Sequence, residues 1–279
     1  MLLGLNTELE NSIIIALSGG GYLSADEVLS TVNDKGKAIT LQGLYRVLKK
    51  LQDEKVITKE RRTYSLRLPW IIELTQFAEQ LETTYLHSNH LTQLLPTSSI
   101  QKRVWRFNNL MKMVEAWMQI VVAMGKVSEN KTALTYAPHL WFALIHLPEW
   151  LQFKKALGSL VKKQYTLIHG TQYVDKYLNA LTKHPDEIVY LTKDEYFEDD
   201  LTLYRTIIDD TIITVRLDPV TAHKINTLFE QIKSEDTMYL LDIFQTFTGK
   251  VRVTLMIKKD PIIANRYRKK FERLFGPIK

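Results

Sequence analysis

The chain has 279 residues, 45% of them hydrophobic and 24% charged, a balance that excludes a disordered polymer and makes two globular units the starting expectation. It has no cysteine, which excludes disulfides, thiolate metal sites and cysteine nucleophiles and fits a reducing compartment, while its net charge of +6 points to a polyanionic partner. The strongest apolar runs, 117–124 and 140–145, are far shorter than the ~20 residues of a membrane span, and Glu8 and Glu10 stand where a secretory signal would be basic, so a cytoplasmic location with no membrane partner is expected.

The charge is concentrated. Between residues 35 and 67 stand Lys35, Lys37, Arg46, Lys49, Lys50, Lys55, Lys59, Arg61, Arg62 and Arg67 against Asp53, Glu54 and Glu60, a local excess of +7 that exceeds the total for the whole chain. Ile13, Ile14 and Leu17 give a first helix over 8–18, stopped by Gly19-Gly20-Gly21. Ser24 with Glu27 has the form of a capping box, and Ala25, Val28, Leu29 and Val32 make the apolar side of a short second helix broken at 33–36.

Thr40 can cap a third helix in which Leu41, Leu44, Tyr45, Leu48 and Leu51 form the apolar side and Gln42, Gly43, Arg46, Lys49 and Lys50 the outer side. Short strands at 56–58 and 64–66, joined by Lys59-Glu60-Arg61-Arg62, make a charged hairpin. Three helices followed by a basic hairpin predict a winged helix-turn-helix over residues 1–68.

The run Leu44-Tyr45-Arg46-Val47-Leu48-Lys49-Lys50-Leu51-Gln52-Asp53-Glu54-Lys55-Val56-Ile57, closed by Tyr64, resembles the recognition helix and first wing strand of PadR-like and TrmB-like winged-helix regulators. The resemblance covers about the first quarter of the chain. It implies a helix that enters the DNA major groove and a wing that touches the flanking backbone. Lys55 departs from it, standing where those families have glycine, and a left-handed backbone there would be strained. On this reading Thr40, Gln42, Gly43 and Arg46 are candidate base readers near the helix N-terminus, with Tyr45 among the DNA contacts. Lys49, Lys50, Arg61 and Arg62 are candidate phosphate contacts. The plainer alternative is a solvated charged face.

After Pro69, the residues Trp70, Leu74, Phe77, Leu81 and Thr84/Tyr85 recur at 4-3 spacing, the seam of a coiled coil between two copies or of a helix packed within one chain. Residues 69–95 are thus a linker or dimerisation helix. Residues 102–126 read as a long helix, and Trp105, Trp117, Trp141 and Trp150 could line a ligand pocket or, as aromatics at such spacing more often do, fill a core. Strands are expected at 165–168, 187–191, 202–208, 211–217 and 251–257, with Asp209-Asp210 as a hairpin turn. Helices are expected at 171–182, 221–233, 236–246 and 261–274.

The order of these elements and the ending Tyr267-Arg268-Lys269-Lys270-Phe271-Glu272-Arg273-Leu274-Phe275 resemble the effector domain of TrmB-like regulators, itself similar to a phospholipase-D-type fold. The His-x-Lys motif of that chemistry is missing, since none of the seven histidines has lysine two places on.

The sequence therefore predicts an α+β chain: an N-terminal winged helix-turn-helix, a helical middle, and a mixed α/β domain within 96–279 that dimerises or senses a small-molecule effector. Its expected partners are double-stranded DNA and a second copy of itself, without cofactor or catalysis. An adaptor that binds proteins is the alternative. A metal-dependent nuclease built on Asp194, Glu195, Glu198, Asp199 and Asp200 is the remoter one, because no histidine or lysine accompanies these acids at ligand spacing.

Overall fold

The computed structural model describes residues 8–34, 39–86, 89–98, 101–192, 200–235, 243, 246, 247, 249 and 251–278. The chain forms two compact units, Met1–Ser88 and Asn89–Lys279.

The first unit is built from α1 (Glu8–Gly20), β1 (Leu23–Ser24), α2 (Ala25–Asn33), α3 (Leu41–Asp53), β2 (Ile57–Glu60), β3 (Thr63–Leu66) and α4 (Leu68–Leu86). The expected capping box is present. The Ser24 hydroxyl accepts from the Glu27 amide at 3.3 Å, and the Glu27 carboxylate accepts from the Ser24 amide at 2.7 Å and from the Ser24 hydroxyl at 2.8 Å, the last two holding this carboxyl below its usual pKa. Ile13 and Leu17 of α1, Val28 and Val32 of α2, and Leu44, Leu48 and Leu51 of α3 meet Val56, Ile57 and Tyr64 in one core. Each such side chain, fully buried, contributes roughly 1.5–3 kcal/mol. The wing has a third strand that the sequence did not announce: β1 pairs antiparallel with β3, giving the order β1-β3-β2. Two residues are too few to show a period.

The α3 C-terminus confirms the strain expected at Lys55. Its φ is 61°, its amide bonds to the Gln52 carbonyl at 2.9 Å, and the next amide, Val56, reaches back to Leu51 at 2.9 Å. This is a Schellman ending with lysine where glycine is at ease. Lys55→Gly should therefore raise the stability of the first unit, by roughly 0.5–1 kcal/mol once the extra freedom of glycine in the unfolded chain is deducted. Chemical denaturation would show it, and a variant that unfolds earlier than the parent would refute it.

The second unit carries a seven-stranded sheet in the order β4-β10-β9-β8-β5-β6-β7. Its strands are β4 (Lys102–Phe107), β5 (Thr132–Ala137), β6 (Lys163–Ile168), β7 (Glu187–Leu191), β8 (Leu203–Ile208), β9 (Thr211–Leu217) and β10 (Val253–Lys259). Strands β5, β6 and β7 run parallel to one another, and all the other pairings are antiparallel.

A large core forms between the sheet and α5 (Leu110–Val127), α6 (Trp141–Ile145), α7 (Leu147–Leu160), α8 (Tyr173–Leu181) and α9 (Pro219–Gln231). A smaller one joins α10 (Pro261–Phe275) to β5, β6, β8 and β9 through Leu134, Tyr136, Tyr165, Leu167, Ile207, Ile212, Ala264, Tyr267 and Phe271. The Ile208↔Thr211 register confirms the Asp209-Asp210 hairpin. Trp117 and Trp150 stack at 5.9 Å between ring centroids, and Trp141 stacks on Phe247 at 5.6 Å, so these tryptophans belong to the core, and the cavity of about 20 Å³ beside Trp117 and Trp141 has room for little more than a water molecule.

Residues 102–126 are not one helix: Lys102–Phe107 is the edge strand β4, and α5 starts at Leu110 behind an Asn109 cap. Lys102, Val104 and Arg106 alternate with the less exposed Arg103, Trp105 and Phe107, the period of a strand. Strand β5, in the interior of the sheet, was not foreseen. The expected helix at 236–246 and most of the acidic run 193–199 lie outside the described residues. Asp200, at the end of that run, bonds to Thr202 and at 2.8 Å to Arg216. No described helix is long and apolar enough to cross a membrane.

Candidate nucleic-acid interface

A helix turns about 100° per residue, so the three fully buried leucines of α3, Leu44, Leu48 and Leu51, fix which side faces out. Opposite them lie Gln42, Arg46, Lys49 and Asp53, all exposed. The cations occupy the first three turns, and Asp53 closes the stripe with an acid. The Thr40 hydroxyl accepts from the Gly43 amide at 3.2 Å, holding the N-terminal turn that any groove-reading helix would present first.

Gly43 itself is half-buried. A Cβ there would stand 3.2 Å from Ile39 and 3.3 Å from the Thr40 hydroxyl, so its part is to let the helix start pack against its cap.

Leu41 and Tyr45 are not core residues, contrary to the pattern read from the sequence. They are 41% and 46% exposed and lie one turn apart on the border of the outward face. The core arc is narrower than the run of apolar letters suggested, because Val47 fills its other border. Tyr45 keeps its place among the candidate contacts for this reason.

Lys50 has a different occupation from its neighbours. Its ammonium sits 2.6 Å from Glu10 of α1, a carboxylate that is almost wholly buried, and 3.8 Å from Glu54. The Glu10 hydrogen bond raises the lysine pKa. A carboxylate taken out of water needs a partner. Lys50 supplies one from forty residues away in sequence. Arg46 and Lys49, by contrast, have no ion-pair partner among the described residues.

The wing supplies the second element. Glu60↔Thr63 is the last pair of the hairpin, which leaves Arg61 and Arg62 as its two-residue turn, both exposed. Arg61 adopts φ 55°, a left-handed conformation usually given to glycine or asparagine in such turns. Lys59, which was not singled out, lies on the exposed edge with its ammonium 5.4 Å from the Tyr64 ring. The structure thus brings Gln42, Tyr45, Arg46 and Lys49 onto one helix face, places Arg61 and Arg62 at the wing tip, and withdraws Lys50 into an internal ion pair.

Comparison with family models finds no match, and comparison with curated proteins finds none either. Among solved structures, one similarity is to TrmBL2, an archaeal chromatin protein described as showing a novel mode of DNA binding: 16% identity over 97% of this chain and 92% of that one, at a TM-score of 0.35. A likeness that loose does not equate the two folds.

Proposed function

We propose that the chain is a cytoplasmic, non-enzymatic DNA-binding transcription regulator that lays the outer face of α3 in the major groove of duplex DNA and its wing tip on the neighbouring backbone. The observation that carries this reading is the pairing state of the cations. Arg46, Lys49, Arg61 and Arg62 are exposed and without ion-pair partners among the described residues, on a helix face and hairpin whose opposite sides are buried. Free cations on a rigid convex element release counterions from DNA, which is the main source of affinity for a phosphate backbone. Gln42 and Arg46, near the helix start, have the donor and acceptor pattern that reads base edges.

The regulator would act as a homodimer through α4. This 19-residue helix has no buried residue among its described side chains, and Leu68, Ile72 and Leu81 are 67%, 49% and 39% exposed. Two copies joined along such a helix would present two recognition helices to two half-sites.

Single substitutions separate the roles. Arg46→Ala should relax preference at one base position, removing roughly 1–3 kcal/mol of discrimination. Lys49→Ala should weaken all sequences evenly and flatten the salt dependence by about one unit of log–log slope. Binding assays on a panel of single-base operator variants would check this. Equal and uniform losses for both would refute the base-reading role of Arg46, and a chain that holds no duplex at physiological salt would be an adaptor for proteins instead.

A further inference from the structure

The second unit holds a cavity of about 460 Å³ whose lining includes His139, His169, Gln172, His223, Asn226 and Glu230. It lies where the parallel strands β5 and β6 end. The loops that follow them are tied together by His169 N–H to the Ala137 carbonyl at 3.0 Å and Gly170 N–H to the Pro138 carbonyl at 2.8 Å. The carboxyl ends of parallel strands are where α/β sheets accept ligands.

The wall is built at some expense to the fold. His139 is 3% exposed and Asp175 0%. The imidazole Nδ1 lies 2.8 Å from Asp175 Oδ2, while Oδ1 accepts from the Leu140 amide at 3.0 Å. Phe229 packs against the back of the ring, 4.5 Å between centroids. Only a glycine fits at position 170, since a Cβ would stand 2.0 Å from Asp175 Oδ2 and 2.6 Å from His139 Nδ1. A carboxylate accepts and cannot donate, so Nδ1 carries the hydrogen it shares with Asp175. Gln172 Oε1 is buried with no donor to satisfy it among the described residues.

We propose that this cavity binds a small aliphatic amine. The orphaned Gln172 carbonyl oxygen and the exposed Glu230 carboxylate are two acceptors, one of them charged, and no lysine or arginine is among the described lining residues. A primary ammonium brings three N–H donors and a charge opposite to that of Glu230. An anion would meet lone pairs with no fixed cation. An ion alone would leave most of the space empty, and no group of three ligating side chains converges among the described residues. The cavity is the size of a small organic molecule's site. This inference supplies the effector of the regulator reading, and rests on that reading only for the step from binding to regulation.

The test uses the full chain without DNA, titrated calorimetrically with putrescine and with its neutral isostere 1,4-butanediol. Putrescine should bind saturably at one site per chain, and the diol at least about tenfold more weakly. Gln172→Leu and Glu230→Gln should each weaken putrescine by about tenfold while melting like the parent. Absence of saturable putrescine binding, equal affinity for the diol, or indifference to both substitutions would overturn the proposal. Because DNA is absent, either result stands whatever duplex binding shows. If both hold, adding putrescine to the protein–DNA complex should shift its affinity.

Discussion

Reversing the two cations on the outer face of α3, Arg46→Glu together with Lys49→Glu, is expected to lower affinity for duplex DNA by at least ~100-fold at 0.1 M salt, where charges within ~10 Å still act on one another. Each reversal removes a counterion-releasing contact and adds a repulsion against the phosphates. The fold should not notice. Both side chains are exposed and unpaired among the described residues, and the leucines that anchor α3 lie on the other side of the helix. The melting temperature of the variant should match that of the parent, so that fluorescence anisotropy with a labelled duplex reads binding alone. Retained affinity would place the DNA contact elsewhere. Lys50→Glu is the instructive contrast: it would set a second carboxylate beside Glu10 and unsettle the α1–α3 packing, so its loss of binding would say little about DNA.

The second large effect is expected from Gly170→Ala. One added methyl would press within 2.0 Å of Asp175 Oδ2 and 2.6 Å of His139 Nδ1, neither of which can swing away, since both belong to nearly fully buried side chains bonded to each other. Relief requires breaking the pair, and overpacking combined with a lost buried hydrogen bond costs about 3 kcal/mol or more. For a unit of this size that is a fall of roughly 6–12 °C in melting temperature. Differential scanning calorimetry should place the loss in the transition of the second unit, with that of the first unchanged. An alanine variant that melts like the parent would mean that the two side chains are not held as described.

Which features the sequence disclosed follows from how far apart their causes lie. The capping box at Ser24 and Glu27, the Thr40 cap, the strain at Lys55 and the Asp209-Asp210 turn depend on residues within a few positions of one another, and all are present. Strand β5 escaped because it is paired on both edges and largely buried, with neither the alternation of a half-exposed strand nor a long apolar run. Strand β4 was misread because Val104 extends the helical pattern of the residues after Leu110, although Arg103, Trp105 and Phe107, at two-residue spacing, share the less exposed face.

On the interface, the outward cations were legible as one face of a helix. Two things were not: that Lys50 answers to Glu10, and that Tyr45 lies outside the core arc. Both are set by where α1 and the wing pack, which no local spacing encodes. The same holds for the cavity. His139 and Asp175 stand 36 positions apart, and only the parallel pairing of β5 with β6 brings their loops together.

If the free cations of α3 and the wing tip face duplex DNA, the salt dependence of binding will count them. Four such cations per chain, Arg46, Lys49, Arg61 and Arg62, predict a plot of log affinity against log salt with a slope of about −3.6 for one chain and about −7 for two chains on one duplex. A slope near zero, or no duplex binding even at low salt, would contradict it.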